Sequence, residues 1–100
     1  MRKVVLLCSA GMSTSMLVSK MEKAAEAMGY ECTIAAFPAS TADKACTDAD
    51  IILLGPQIRF NLDQIKAQFP DKIVSLIDMT AYGRMDGEKV IKTVKELLGD

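Results

Sequence analysis

The chain has 100 residues, half of them apolar, and a net charge of −1 from 12 basic and 13 acidic residues. This length predicts one domain over residues 1–100, with a core that needs no disulfide or metal. A nearly neutral chain offers no basic field for nucleic acid or an anionic membrane, and the absence of histidine excludes a cysteine–histidine zinc site.

The first predicted elements are a strand and a helix. KVVLLC (3–8) is a continuous aliphatic run, typical of a parallel strand that is covered on both faces. Apolar residues then recur with helical spacing from Leu17 to Met28. They predict a helix from about Ser15 to Met28, which Gly29 ends in a left-handed conformation. The run after MRK is too short for a signal peptide or for the roughly 20 residues of a membrane span, so we expect a cytoplasmic protein.

The next segment predicts a second strand and a short helix. ECTIAAF (31–37) is the strand, and Pro38 ends it. Ser40 or Thr41 can cap a short helix that reaches Ala45.

A third strand and a third helix follow. DIILLG (50–55) is the strand, and the glycine–proline pair after it marks a break. Helical spacing of apolar residues from Ile58 to Phe69 predicts a helix, which Pro70 stops.

The last part of the chain predicts a fourth strand, a loop and a helix. KIVSLID (72–78) is the strand and MTAYGRMDG is the loop. Asp86 can cap the last helix, whose apolar stripe consists of Val90, Ile91, Val94, Leu97 and Leu98. Strands and helices alternate throughout, which predicts an α/β fold with an open four-stranded parallel sheet and helices on both faces.

Cys8 ends the first predicted strand, and ligands of parallel α/β sheets bind outside the carboxyl ends of the strands. A loop of small residues and the start of a helix can point backbone N–H groups at one anion there. The candidate anion-binding residues are Ser9, Ala10, Gly11, Met12, Ser13, Thr14 and Ser15. Gly11 permits a tight turn, and the four hydroxyls can donate further hydrogen bonds.

Three activities suit a cysteine over an anion site. Cysteine phosphatases and arsenate reductases have C-x5-R-[ST], whose arginine clamps the phosphoryl group, but Thr14 occupies that position. A redox sensor needs a resolving cysteine, for which Cys32 is the candidate; otherwise Cys32 and Cys46 are reduced thiols. A phosphoryl carrier needs a nucleophile, a neutral cradle and no base that activates water. The uncharged stretch from Val4 to Ser19 and the absence of histidine favour the carrier.

On these residues the chain closely resembles the IIB component of the lactose/cellobiose class of the bacterial sugar phosphotransferase system. LLCSAGMSTSMLVSKM resembles the phosphorylation loop and first helix of that family, and AFP resembles the end of its second strand. ADIILLGPQI resembles the third strand with its turn, and IDMTAYGRMDG the loop before the last helix. The similarity extends over the whole chain.

The resemblance implies the architecture of flavodoxins and low-molecular-weight tyrosine phosphatases, and a phosphotransferase without a cofactor or metal. Cys8 would be the phosphorylated nucleophile, and the loop from Ser9 to Ser15 the phosphate cradle. The donor would be a phosphohistidine of the IIA protein. The acceptor would be a disaccharide similar to cellobiose, diacetylchitobiose or lactose, bound by the membrane-embedded IIC transporter. We expect the carrier itself to be a monomer that neither enters the membrane nor binds nucleic acid.

Two further loops follow strands that end at the same edge of the predicted sheet, and their residues are auxiliary candidates. In GPQIRF, Gln57 and Arg59 can contact the phosphoryl group or a partner, although a solvated position is favoured for Arg59. In AYGRMDG, Tyr82 either reaches the cradle with its hydroxyl or is a packing aromatic. Met12, an apolar residue in a polar loop, is a candidate contact for IIA or IIC.

Overall fold

The computed structural model describes residues 1–9 and 12–100, with the backbone alone at positions 12 and 13. Four parallel strands form one sheet in the order β2-β1-β3-β4. Their bounds are Arg2–Cys8 (β1), Cys32–Pro38 (β2), Ile51–Leu54 (β3) and Ile73–Leu76 (β4). The predicted four-stranded parallel α/β sheet is confirmed, and its order puts the carboxyl ends of β1 and β3 side by side at the centre of one edge.

The described part of the chain has five α-helices. Their bounds are Met12–Ala27 (α1), Ala42–Ala45 (α2), Leu62–Gln68 (α3), Met79–Gly83 (α4) and Gly87–Leu98 (α5). Short 3-10 segments, Ala39–Thr41 and Pro56–Asn61, precede α2 and α3. No described helix has both the length and the apolar character that crossing a bilayer requires.

The core lies on both faces of the sheet. Residues 4–7 of β1 are all fully buried, and successive side chains of a strand point to opposite faces. Val4 and Leu6 pack on the face that α1 and α5 cover, whereas Val5 and Leu7 pack on the face that α2 and α3 cover. This double cover explains why β1 is aliphatic throughout instead of alternating with polar residues.

Two predicted helix boundaries are confirmed by backbone geometry and hydrogen bonds. Gly29 has a φ of 65°, and the N–H of Tyr30 after it donates to the carbonyl of Ala25, which closes the end of α1. Asp86 caps α5, because its carboxylate accepts a hydrogen bond of 3.1 Å from the N–H of Lys89.

Four details of the predicted elements are wrong. The segment predicted as a loop before α5 contains α4, which is too short for helical periodicity to reveal. The helix predicted from Ile58 starts only at Leu62, since Ile58 itself has non-helical backbone angles. Thr41 makes no side-chain cap; its hydroxyl donates to the carbonyl of Pro38 at 2.9 Å. Leu97 is 40% exposed and lies outside the buried stripe of α5.

Candidate functional site

Cys8 is the last residue of β1, and its side chain is almost completely buried. Its Sγ lies 3.8 Å from the carbonyl oxygen of Phe37 on β2, within reach of a weak S–H···O hydrogen bond. The 16-residue helix α1 begins at Met12, four positions further along the chain. The positive end of a helix dipole therefore follows the cysteine, as an anion site at this edge requires.

The predicted cradle is described only in part. Ala10 and Gly11 lie outside the described residues, as do the side chains of Met12 and Ser13. Their roles in binding the phosphoryl group stay predictions, and so does the partner contact proposed for Met12. The described hydroxyls of the loop belong to Ser9, Thr14 and Ser15: Ser9 and Ser15 are exposed, and Thr14 is fully buried.

The buried hydroxyl of Thr14 is paired with that of Tyr82. The Oγ1 of Thr14 lies 3.2 Å from the Oη of Tyr82, and either oxygen can donate the hydrogen. Tyr82 is 8% exposed and belongs to the same core cluster as Leu17 of α1. The ring of Tyr82 packs in the core and its hydroxyl contacts Thr14, so its part in a phosphate cradle stays a prediction.

The short helix α4 carries Tyr82 to this edge of the sheet. The carboxylate of Asp78 caps it by accepting a hydrogen bond of 2.9 Å from the N–H of Ala81. That N–H, together with the nearby ammonium of Lys89, holds the pKa of Asp78 below its ordinary value. The N–H of Ile77, just before the cap, donates to the carbonyl of Leu54 on β3. The cap and this bond fix the start of α4 against the end of the sheet.

Gly55 follows β3 and lies close to the side chains of Tyr82 and Gln57. Its N–H donates to the carbonyl of Leu7, the residue before Cys8, at 2.9 Å. A methyl group built on Gly55 would lie 3.7 Å from Cε2 of Tyr82 and 2.8 Å from Oε1 of Gln57. Both predicted auxiliary side chains therefore approach one glycine, which leaves them room because it has no side chain.

Two other features are an exposed arginine and a cavity. Arg59 is exposed, as its solvated alternative predicts. A cavity of about 210 Å³ lies against β3, β4 and α5, and none of the predicted site residues lines it. Its walls are Leu53, Leu76, Ile77, Asp78, Ala81, Lys89, Val90 and Thr93. The chemistry predicted from the sequence thus belongs to the edge near Cys8 and not to this cavity.

The register of the sheet separates Cys32 from Cys8. Cys32 pairs with Arg2 at the start of β1, whereas Cys8 pairs with Pro38. Six residues of strand therefore separate the two thiols, or roughly 20 Å at the usual rise per residue. Burial raises the pKa of the Cys32 thiol and likewise that of Cys46, which packs on the opposite face of the sheet. Cys32 is not placed as a resolving cysteine, and the redox-sensor hypothesis loses its support.

The contacts that the sequence did not predict join segments that are far apart in the chain. The pairing of Thr14 with Tyr82 joins residues 68 positions apart, and the role of Gly55 depends on side chains from two other segments. The only available signal was that hydroxyl and glycine residues occupy loops that end at one edge. That signal placed Tyr82 near the cradle but did not name its partner.

Comparison with known proteins gives the same family that the residues resemble. Residues 3–93 match the family described as "PTS system, Lactose/Cellobiose specific IIB subunit". The oligo-beta-mannoside-specific EIIB component of Bacillus subtilis (strain 168) is 38% identical over 98% of this chain and 97% of its own. The galactose-specific EIIB component of Lactococcus lactis subsp. cremoris (strain MG1363) is 39% identical over 95% of this chain and 94% of its own.

The fold is also similar to the solved structure of another phosphotransferase IIB component. The solution structure of the cellobiose-specific phosphotransferase IIB component protein of Borrelia burgdorferi superposes with a TM-score of 0.80. It is 34% identical in sequence, and the match covers 98% of this chain and 92% of the other.

Proposed function

Since the chain belongs to the lactose/cellobiose-specific IIB family of the phosphotransferase system (PTS), we propose that it carries its phosphoryl group on Cys8. Membership makes it a sugar phosphotransferase that carries a phosphoryl group between proteins and a sugar. The proposal adds the atom that is phosphorylated, the donor and the acceptor. The observation that supports it most is the position of Cys8 at the carboxyl end of a central strand, followed by the start of α1.

The first proposed step moves the phosphoryl group from a IIA phosphohistidine to Cys8. The sulfur attacks phosphorus in line, the S–P bond forms and the N–P bond breaks. The thiol proton ends on the imidazole nitrogen that leaves. Backbone N–H groups at the start of α1 and the hydroxyls of Ser9, Ser13 and Ser15 then surround the phosphoryl oxygens, while the buried hydroxyl of Thr14 stays paired with that of Tyr82.

The second step transfers the phosphoryl group to a sugar hydroxyl. The hydroxyl oxygen attacks phosphorus, the O–P bond forms and the S–P bond breaks. The electron pair returns to sulfur as a thiolate, and the hydroxyl proton goes to that thiolate, which restores the thiol, or to water. Neither step needs a cofactor, because the family's chemistry is transfer without oxidation or reduction.

Two features of the site favour transfer over hydrolysis. Thr14 stands where phosphatases have the arginine that stabilises transfer to water, and the chain has no histidine to act as a base. A phosphatase or arsenate reductase is therefore the less favoured alternative.

We place the protein at the cytoplasmic side of a IIC transporter, where it meets the bound sugar. The sugars that the relatives' names give differ from one another, so the sugar is proposed only as a disaccharide similar to cellobiose, diacetylchitobiose or lactose. We propose a monomer, since a carrier must dock in turn with a donor and an acceptor.

Intact-mass spectrometry tests the proposed carrier directly. The chain is incubated with phosphoenolpyruvate, the general phosphotransfer proteins and the IIA components of oligo-β-mannoside, galactose and cellobiose systems, with Cys8→Ala in parallel. We expect the mass of one phosphoryl group on the wild type and none on the variant. Cys32→Ala is the matched control, because it removes a thiol at the other end of the sheet, and it should be phosphorylated like the wild type.

Two results would contradict the proposal. One is a Cys8→Ala protein that still gains the phosphoryl group, which would move the site. The other is a wild-type chain that gains nothing from any of the three phosphorylated IIA proteins. Turnover of p-nitrophenyl phosphate at ordinary enzyme rates would instead support the phosphatase alternative, and we expect essentially none.

A further inference from the structure

We infer that Tyr82 is a positioning residue for phosphoryl transfer, which acts through Thr14 instead of contacting the phosphoryl group. The inference rests on the proposed function, since it concerns how the first turn of α1 is held beside Cys8. Its basis is the hydrogen bond between two buried hydroxyls that belong to different segments of the chain.

The pair is buried, so each hydroxyl depends on a partner within the protein. Thr14 is fully buried and Tyr82 is 8% exposed. Among the described residues, no buried side-chain nitrogen or oxygen lacks a hydrogen-bond partner. Taking the partner of a buried hydroxyl away costs about 1–3 kcal/mol, more than the bond itself contributes. The pair therefore favours one position of Thr14 relative to α4.

Thr14 lies in the part of the site where position matters most. It belongs to the first turn of α1, whose N–H groups are proposed to bind the phosphoryl oxygens. It is also six residues after Cys8, at the place of the arginine in C-x5-R. A neutral hydroxyl pair fixes this turn without adding a cation that would hold a dianion by charge. This suits a carrier, which must release the group it binds.

The ring of Tyr82 lies beside the end of the central strands. Its ring packs in the core, and Cε2 comes within 3.7 Å of a methyl group built on Gly55. Gly55 in turn is bonded to Leu7, the neighbour of Cys8 on β1. Tyr82 thus lies between two parts of the site. One is the end of β1 and β3 beside Cys8, and the other is the first turn of α1, which is proposed to bind the phosphoryl group. Small displacements of reacting groups lower transfer rates strongly, which makes such a connection relevant to the reaction.

The test compares the two tyrosines of the chain. Tyr82→Phe removes the hydroxyl at the site, and Tyr30→Phe removes one that donates to Asp100 at the other end of the sheet. Single-turnover transfer from phosphorylated IIA to Cys8 is followed by rapid quench and intact mass. We expect transfer to be roughly tenfold slower in Tyr82→Phe and unchanged in Tyr30→Phe. The ³¹P chemical shift of the phosphocysteine should change in Tyr82→Phe alone.

Variants of Thr14 separate positioning from general stability. Thr14→Val should also slow transfer, and the double variant should lose less than the product of the two single effects, because both variants remove the same hydrogen bond. Thr14→Ser keeps the hydroxyl and should restore most of the rate. Thr14→Val also keeps the tyrosine ring, so the test remains available if Tyr82→Phe does not fold.

The outcomes distinguish this inference from the proposed function. If the wild type accepts a phosphoryl group on Cys8 but Tyr82→Phe or Thr14→Val transfers as fast with the same ³¹P shift, the inference is wrong. Lower stability in urea with an unchanged rate and shift would also overturn it, since that is the result of a purely structural contact. If the wild type is not phosphorylated on Cys8, the proposed function fails and this inference fails with it.

Discussion

The two edges of the sheet are held together by different kinds of interaction. At the amino edge the contacts are ionic: Nη2 of Arg2 lies 2.9 Å from Asp100, and Nζ of Lys3 lies 3.0 Å from Asp48. The hydroxyl of Tyr30 donates to the same Asp100 at 2.6 Å. Because these groups are partly exposed to solvent, each pair contributes little and is weakened by salt.

At the carboxyl edge the described contacts around Cys8 join neutral groups. They are the thiol with a backbone carbonyl, the hydroxyls of Thr14 and Tyr82, and the N–H of Gly55 with the carbonyl of Leu7. An ion pair of 3.7 Å between Lys89 and Asp78 lies at the start of α4. A carboxylate beside a phosphoryl dianion would repel it, and a fixed cation would retain it. The ion pairs of Arg2 and Lys3 thus lie at the end of the strands opposite the proposed phosphoryl site, and the ion pair cited at the carboxyl edge lies at the start of α4.

The largest predicted effect is a loss of stability when the packing of α5 against α1 is disturbed. Gly87, the first residue of α5, lies against the backbone of α1, and a methyl group there would come within 2.4 Å of the carbonyl carbon of Lys20. Backbone atoms cannot rotate away, so Gly87→Ala must push the two helices apart. We expect a loss of about 3 kcal/mol in the free energy of unfolding, measured in urea.

Gly83 is the matched control for this prediction. It ends α4, and a methyl group built on it would have no atom within 4 Å. Gly83→Ala should be neutral or stabilise by about 0.5 kcal/mol, since alanine restricts the unfolded chain. The loss in Gly87→Ala should be the same at 0.05 and 1 M NaCl. If 1 M NaCl changes this loss of unfolding free energy by half or more, the packing of α1 against α5 depends on charge. The contrast with the ionic contacts of the amino edge would then be wrong.

How much of the fold could be predicted from the sequence depends on how far apart in the chain the interacting residues lie. The strands, the terminator Gly29 and the cap Asp86 follow from local rules, and the structure agrees with them. The helix α4 was missed because its five residues show no periodicity, and only the capping aspartate Asp78 marks its start. The need for glycine at position 87 was missed for another reason. It arises from α1, about 65 residues away in the chain, and no local pattern shows that contact.

In the candidate site, too, local features can be predicted from the sequence and contacts between distant segments cannot. Cys8 is proposed as the nucleophile from the sequence because a strand end, a small-residue loop and an uncharged stretch meet within one short segment. The sequence does not predict whether Cys32 lies near Cys8. The distance between the two thiols depends on the register in which β1 and β2 pair. Tyr82 was placed at the correct edge by topology, but its contact with Thr14 depends on where α4 puts the ring.

A smaller effect is predicted for Gly55, where the nearest obstacle is a flexible side chain. Gly55→Ala would place its methyl group 2.8 Å from Oε1 of Gln57, which can move away. Stability should therefore change by less than about 1 kcal/mol. If the folded-back position of Gln57 serves transfer, Gly55→Ala and Gln57→Ala should slow it by a similar factor, about fivefold for one hydrogen bond.

The double variant completes that prediction. With Gly55→Ala and Gln57→Ala together, the rate should fall no further than in either single variant. A double variant whose losses multiply would show that the two residues act independently. Unchanged transfer in Gln57→Ala would remove Gln57 from the auxiliary residues and leave Tyr82 as the remaining candidate among them.

The smallest predicted effect is the pH dependence of the amino edge. Hydrogen bonds from Arg2 and then Tyr30 lower the pKa of Asp100 from 3.8 to about 2. A depressed pKa means that the unfolded chain binds the proton more readily, so this stabilisation is complete above about pH 4 and disappears as the pH falls to about 2. The unfolding free energy of the wild type should therefore fall more steeply over that interval than that of Asp100→Asn, as urea titrations at each pH would show. Transfer to Cys8 should be the same in both proteins at neutral pH, because the ionic edge lies at the other end of the strands. Slower transfer in Asp100→Asn would mean that the two edges are coupled, and the separation of roles argued for them would be wrong.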